Sequence, residues 1–168
     1  MFFYTFIKKS IIFAHILITL MFNSKKMKVQ IVNKSKHRLP EYATSGAAGM
    51  DLKADIDTPY VIEARSSIVI PTGIYIGLPD GYEAQIRSRS GLAFKYDIQT
   101  HVGTIDADYT GEIKVKLFNH SDNKFVVQPG ERIAQMVINK IEKVEWDEVK
   151  ELKETERGEG GFGSTGRI

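Results

Sequence analysis

The 168-residue sequence contains no cysteine, a single tryptophan and only five prolines. The missing cysteine excludes a disulfide framework, a thiolate zinc site and a cysteine nucleophile. No Gly-x-Ser-x-Gly elbow occurs, so a serine hydrolase has no nucleophile turn. His15, His37, His101 and His120 are too scattered to form a ligand set at zinc-site spacing. The mostly apolar run 11–22 is too short for an ordinary membrane span. Acidic residues are absent from 1–26, which carry Lys8, Lys9, Lys25 and Lys26, and the rest of the chain holds 19 bases against 21 acids. The formal charge of +2 is therefore not a bulk polycationic field of the kind that drives non-specific nucleic-acid binding. What remains has the length of one compact domain plus a tail.

Residues 1–26 are set apart by composition. They are rich in Phe, Ile and Leu behind two lysines, as a secretory leader would be, but no small-x-small cleavage site follows. Met27 instead opens a strand-like stretch, 29–33, and suggests a second start. The segment is read as an extension outside the fold, with a signal or membrane anchor as the alternative. The domain is expected over 27–150 and a glycine-rich arm over 151–168, with no membrane association for 27–168 and a cytoplasmic location.

From Met27 onward, short apolar runs are separated by turn residues, the pattern of an all-β domain. Ile74, Ile76 and Leu78 alternate with Tyr75 and Gly77, Pro79-Asp80-Gly81 turns the chain, and Tyr82, Ala84 and Ile86 alternate with Glu83 and Gln85. Period-two alternation on both sides of a Pro-Asp-Gly turn predicts a hairpin. Ile113, Val115 and Leu117 alternate with Lys114 and Lys116, and further strands fit 67–70, 125–127 and 132–138. Many short strands with Gly or Pro between them indicate a sandwich or jelly roll. The charged segment 142–156 is expected to pack Val144, Trp146, Val149 and Leu152 onto the domain.

Three polar islands lie among the strands. In Arg87-Ser88-Arg89-Ser90-Gly91-Leu92 a strand runs into a short helix and offers N–H groups, a hydroxyl and guanidinium groups suited to phosphate oxygens. A helix cap flanked by solvated arginines would account for the same residues. The island 103–112 holds Asp106 and Asp108, which suit a metal, a water or a tight turn, and Tyr109, which suits a core anchor or a platform for a sugar or base. The tail 157–166 holds five of the 14 glycines together with Arg157, Phe162, Ser164 and Thr165. It is either a flexible terminus or a phosphate wrap, and it lacks the lysine of a Walker A loop.

Together with Ala48-Gly49-Met50-Asp51-Leu52 and Gly130-Glu131-Arg132-Ile133-Ala134-Gln135, these islands occur in the order of five motifs. The ordered set resembles the trimeric dUTP pyrophosphatases (dUTPases) over nearly all of 27–168. The resemblance implies a distorted, β-clip type jelly roll, a homotrimer with three interfacial active sites, and Mg²⁺-dependent hydrolysis of dUTP to dUMP and pyrophosphate. That reaction limits uracil incorporation into DNA and supplies dUMP for dTMP synthesis.

By the same resemblance, Asp106 orients and deprotonates the attacking water. Arg89, Ser90 and Gly91 bind the phosphates, with Mg²⁺ held by the substrate and Asp51 reaching it only through water. The segment from Thr100 through Gly103, Thr104 and Ile105 to Tyr109 reads the base in a hairpin, beside Lys114, and Tyr109 crowds out a 2′-hydroxyl. Gln135, Arg157, Phe162, Gly163, Ser164 and Thr165 close over the nucleotide. Thr100 stands where many relatives carry Asn, so a side-chain contact to the base is either altered there or supplied by the backbone alone. Two other readings compete: a dCTP deaminase of the same superfamily and a non-catalytic nucleotide-binding module.

Overall fold

The structure, a computed structural model, describes residues 27–161. The extension 1–26 and the expected site residues Phe162, Gly163, Ser164 and Thr165 lie outside these residues. Among the described residues no helix is long and apolar enough to cross a membrane.

Among the described residues ten strands and one short helix follow one another: β1 (Gln30–Asn33), β2 (Met50–Lys53), β3 (Tyr60–Ile62), β4 (Ser67–Gly77), β5 (Tyr82–Arg87), α1 (Ser90–Tyr96), β6 (Ile98–Thr100), β7 (Gly103–Ile105), β8 (Ile113–Asn119), β9 (Phe125–Val127) and β10 (Arg132–Lys140). One sheet has the order β1-β4-β8-β6, a second β2-β10-β5-β7, and β3 pairs with β9 alone. All of these pairings are antiparallel. The expected all-β jelly roll is the fold observed.

Alternation explains the core. Ile113, Val115 and Leu117 of β8 are fully buried, whereas Lys114 and Lys116 face outward. Across the sandwich they meet the apolar face of the second sheet, which includes Leu52, Ala84, Ile86, Ala134 and Met136. Each fully buried Leu or Ile contributes about 1.5 to 3 kcal/mol relative to exposure. Asn119 closes the end of β8: its buried amide donates to Ile62 O, Glu63 O and Asn123 O, and its oxygen accepts from Ser121. That bond set ties the β3–β9 pair to the main body.

The 74–86 hairpin expectation is corrected. The chain does reverse at Pro79-Asp80-Gly81, with Gly81 at φ +81°, but β4 pairs with β1 and β8 whereas β5 pairs with β10 and β7. Ile74, Ile76, Ala84 and Ile86 all turn inward, so the two arms face each other through the core instead of sharing a ladder. Alternation and a turn signal specify a reversal and a buried face; they do not specify which edge pairs.

The packing expected of 142–156 is also corrected. This stretch has no helix or strand, and Val144, Trp146, Val149 and Leu152 are exposed, Trp146 at 90%. With charges on nearly every other position, the segment has no continuous apolar face to lay on its own domain.

Candidate active site

The polar site residues lie on the solvent face of the sheet β2-β10-β5-β7. Asp51 of β2 pairs with Gln135 of β10, which pairs in turn with Arg87 of β5. Cross-strand partners share a face, so these three residues form a row across the sheet. Arg132 and Gln135 are three apart and on a regular strand would point to opposite faces. A register shift between Arg132 and Ala134 adds one residue to β10 and buries Ile133 and Ala134 together. The bulge brings Arg132 onto the same side as Gln135.

Asp51 is the hub. One carboxylate oxygen takes Arg89 Nε at 2.9 Å and the other takes Arg132 Nη1 at 3.0 Å. Arg89 Nη1 also donates to Arg132 O at 3.0 Å. Asp51 and Arg89 are about three-quarters buried, with side-chain exposures of 22% and 25%. One anion between two cations leaves net positive charge in a partly desolvated setting, and charge-assisted bonds fix how the guanidinium groups point. Arg132 was quoted in the fourth motif without an assigned role; its bulge-dependent aim is not visible in sequence.

An open concavity of about 230 Å³ beside this hub is lined by Ala47, Gly49, Asp51, Arg89, Ser90, Gly91, Arg132 and Gln135. Ser90 opens α1, and the residue before it, Arg89, makes no side-chain cap bond; its guanidinium is committed to Asp51, so the cap reading of this island does not hold. Gln135 Nε2 donates to Ser88 O at 2.9 Å. Gly49 leaves room for the Gln135 amide: an added Cβ would stand 2.6 Å from Gln135 Oε1 and push that side chain aside.

Asp106 lies elsewhere. It follows β7, whose Ile105 pairs with Ala84 and whose Gly103 pairs with Ile86. Asp106 is therefore beside Glu83, at the end of β5 opposite Arg89. It lines a separate concavity of about 390 Å³ with Asp80, Glu83, Asp108 and Lys143. Six extended residues span about 20 Å, so within one chain Asp106 and the Arg89–Ser90 loop are a full strand apart.

The segment expected to read a base, Thr100 to Tyr109, also differs in structure from the expectation. β6 is an edge strand paired with β8, and β7 is an edge strand paired with β5. His101 and Val102 join them, so no ladder links the two arms, and the expected hairpin is instead a crossing from one sheet to the other. Thr100 is buried, its hydroxyl donating to Ile133 O at 3.4 Å. Thr104 is exposed, with Gly103 and Ile105 half-buried. The Tyr109 hydroxyl donates to Glu112 O at 3.0 Å, and a Cβ on Gly111 would overlap that hydroxyl. This contact holds the ring over the turn. Lys114 Nζ is 3.8 Å from Glu112 Oε2. Arg157 Nε donates to Gly160 O at 2.7 Å within its own turn.

Residues 35–166 match the dUTPase family profile. The chain belongs to the dUTPase family. It is 54% identical over 141 residues to the deoxyuridine 5′-triphosphate nucleotidohydrolase of Cytophaga hutchinsonii, covering 83% of this chain and 92% of that one. The corresponding protein of Finegoldia magna is 49% identical over 142 residues, covering 83% and 99%. Among solved structures, the dUTPase of Staphylococcus bacteriophage 80alpha with dUpNHpp superposes with a TM-score of 0.76 at 31% identity, covering 83% of this chain and 98% of that one.

Proposed function

We propose that this dUTPase hydrolyses dUTP to dUMP and pyrophosphate in a homotrimer whose sites are each assembled from more than one protomer. Family membership supports the reaction. The single observation supporting the assembly is the separation along β5. Asp106 and Ser90 must both meet the α-phosphate region, and no one protomer brings them together. A threefold ring juxtaposes the β7 end of one copy with the Arg89 loop of the next through a repeated head-to-tail contact.

In that site Arg89, Ser90 and Gly91 hold the phosphates, oriented by Asp51, while Asp106 from a second copy accepts a proton from water aimed at the α-phosphorus. The new bond joins water oxygen to that phosphorus. The bond to the bridging oxygen breaks with its electron pair leaving on pyrophosphate, and guanidinium groups offset the charge that builds there. The open edges of β6 and β7 present backbone donors and acceptors in fixed order, and cytosine would leave buried groups unpaired at about 1 to 3 kcal/mol each. Tyr109, held against Gly111, faces the deoxyribose and leaves no room for a 2′-hydroxyl. The arm from Arg157 onward, with Phe162, Gly163, Ser164 and Thr165, closes over the nucleotide of a neighbouring copy.

The donor set suits a divalent cation that arrives on the triphosphate. Among the described residues no three His, Asp or Glu side chains are placed to hold a metal ion directly, and both oxygens of Asp51 are engaged by arginines. Bound to phosphate oxygens, Mg²⁺ would neutralise charge on the leaving group.

Two measurements test the proposal. Pyrophosphate should be released from dUTP and not from dCTP, dTTP or UTP; ammonia from dCTP would instead identify a deaminase. Mixing inactive Arg89→Ala and Asp106→Asn chains through unfolding and reassembly should restore about a quarter of wild-type activity, because random pairing rebuilds that share of sites. Mixtures as inactive as either parent would show that both residues serve the same protomer's site.

A further inference from the structure

The backbone that reads the base lies on two sheet edges, where three-residue strands are held weakly. One hydroxyl strengthens the hold. Ser88 stands between Arg87, the last residue of β5, and Arg89. Its Oγ accepts the Thr100 N–H at 2.8 Å and donates to the Thr100 C=O at 3.4 Å. A two-bond exchange with one residue's backbone is what a neighbouring strand ordinarily supplies. The carbonyl of Ser88 accepts from Gln135 Nε2 at 2.9 Å, and the Thr100 hydroxyl reaches Ile133 O at 3.4 Å. Thr100, at 6% exposure, thus belongs by pairing to the β8 sheet and is clasped to β5 and β10 of the other. With its proton directed to Thr100 O and a lone pair taken by Thr100 N–H, the Ser88 hydroxyl is aimed at the Thr100 backbone.

We infer that Ser88 is a positioning residue for base selection, its hydroxyl setting where the backbone of Thr100 to Gly103 stands relative to the loop carrying Arg89 and Ser90. This rests on the proposed reading of the site. Uracil is told from cytosine by donors and acceptors that cannot shift; without the clasp, a buried N–H loses its partner and the segment relaxes. In a composite trimer the two ends of the clasp serve neighbouring sites, so the base end of one site and the phosphate end of the next are set by the same residue.

The test compares wild-type, Ser88→Ala and Ser88→Thr trimers in pyrophosphate release from dUTP and dCTP, alongside thermal melting. In the alanine variant the dUTP-over-dCTP ratio of kcat/KM should fall about tenfold and KM for dUTP should rise about three- to tenfold, with kcat within about twofold. Threonine, which keeps the hydroxyl, should restore the ratio to within about threefold of wild type. An alanine variant that melts lower with ratio and KM unchanged overturns the inference, as does a threonine variant as defective as alanine. If the alanine variant does not assemble, Ser88→Cys, a weaker acceptor of the same shape, is held to the same criteria. A wild-type enzyme that leaves dUTP intact overturns the underlying reading and this inference with it; wild-type hydrolysis with an unchanged ratio in the variant overturns this inference alone.

Discussion

Asp51 illustrates how one side chain sets the chemistry of others. Its two oxygens each hold a guanidinium, so Asp51→Asn keeps the shape but weakens both charge-assisted bonds, and kcat/KM for dUTP should fall about ten- to a hundredfold. Asp106 has the opposite character: exposed and at the end of a strand, it contributes little to the fold. Asp106→Asn should therefore melt like wild type and bind nucleotide, while turnover drops about 10² to 10⁴, the usual share of a general base; steady-state rates alongside nucleotide titration would check this. Gly49→Ala places a methyl group against Gln135. It should displace the amide from Ser88 O and raise KM for dUTP, a change visible in kinetics before it is visible in melting temperature.

At the scale of elements, irregularities do the aiming. The β10 bulge turns Arg132 toward Asp51. The β4 irregularity between Pro71 and Ile74 lets Gly73, at φ +65°, donate to Glu112 Oε1 at 3.0 Å, beside the Tyr109 turn. Such features need an alignment of two strands before they exist, so a single strand's alternation cannot announce them. The same limit explains the two misassigned hairpins. The residues of β4 and β5 are legible as strands around a turn, and 100–109 as a hairpin only through the resemblance, but the partners of these strands are distant in the chain. Asn119 belongs to this scale too. Asn119→Ala removes the side-chain bonds joining β8 to the β3–β9 pair, and chemical denaturation should show a loss of about 3 kcal/mol, with activity per folded molecule unchanged.

For the whole molecule, the single chain is a finished fold, and the proposed site needs more than one copy of it. Its core is closed and, among the described residues, no buried side-chain polar atom lacks a partner. Its site residues nevertheless lie at opposite ends of β5, and the segment carrying Trp146 and Leu152 lies exposed. Removing residues 157–168 should leave assembly and melting unchanged, because the part of the arm the structure describes, 157–161, contributes nothing to the core, while dUTP turnover nearly vanishes; light scattering and pyrophosphate release would separate the two effects. Full activity after truncation would return the glycines to a plain flexible terminus.

The chain by itself determined the all-β class, the buried face of most strands and the identity of the chemical groups, because alternation, turn residues and ordered motifs are local properties. Tertiary structure alone decided that Asp51 clamps two arginines, that Ser88 clasps Thr100 across the sandwich, and that Asp106 stands a strand's length from the phosphate loop. Each of these depends on which strands lie side by side and in what register, and that is settled by packing between segments far apart in sequence.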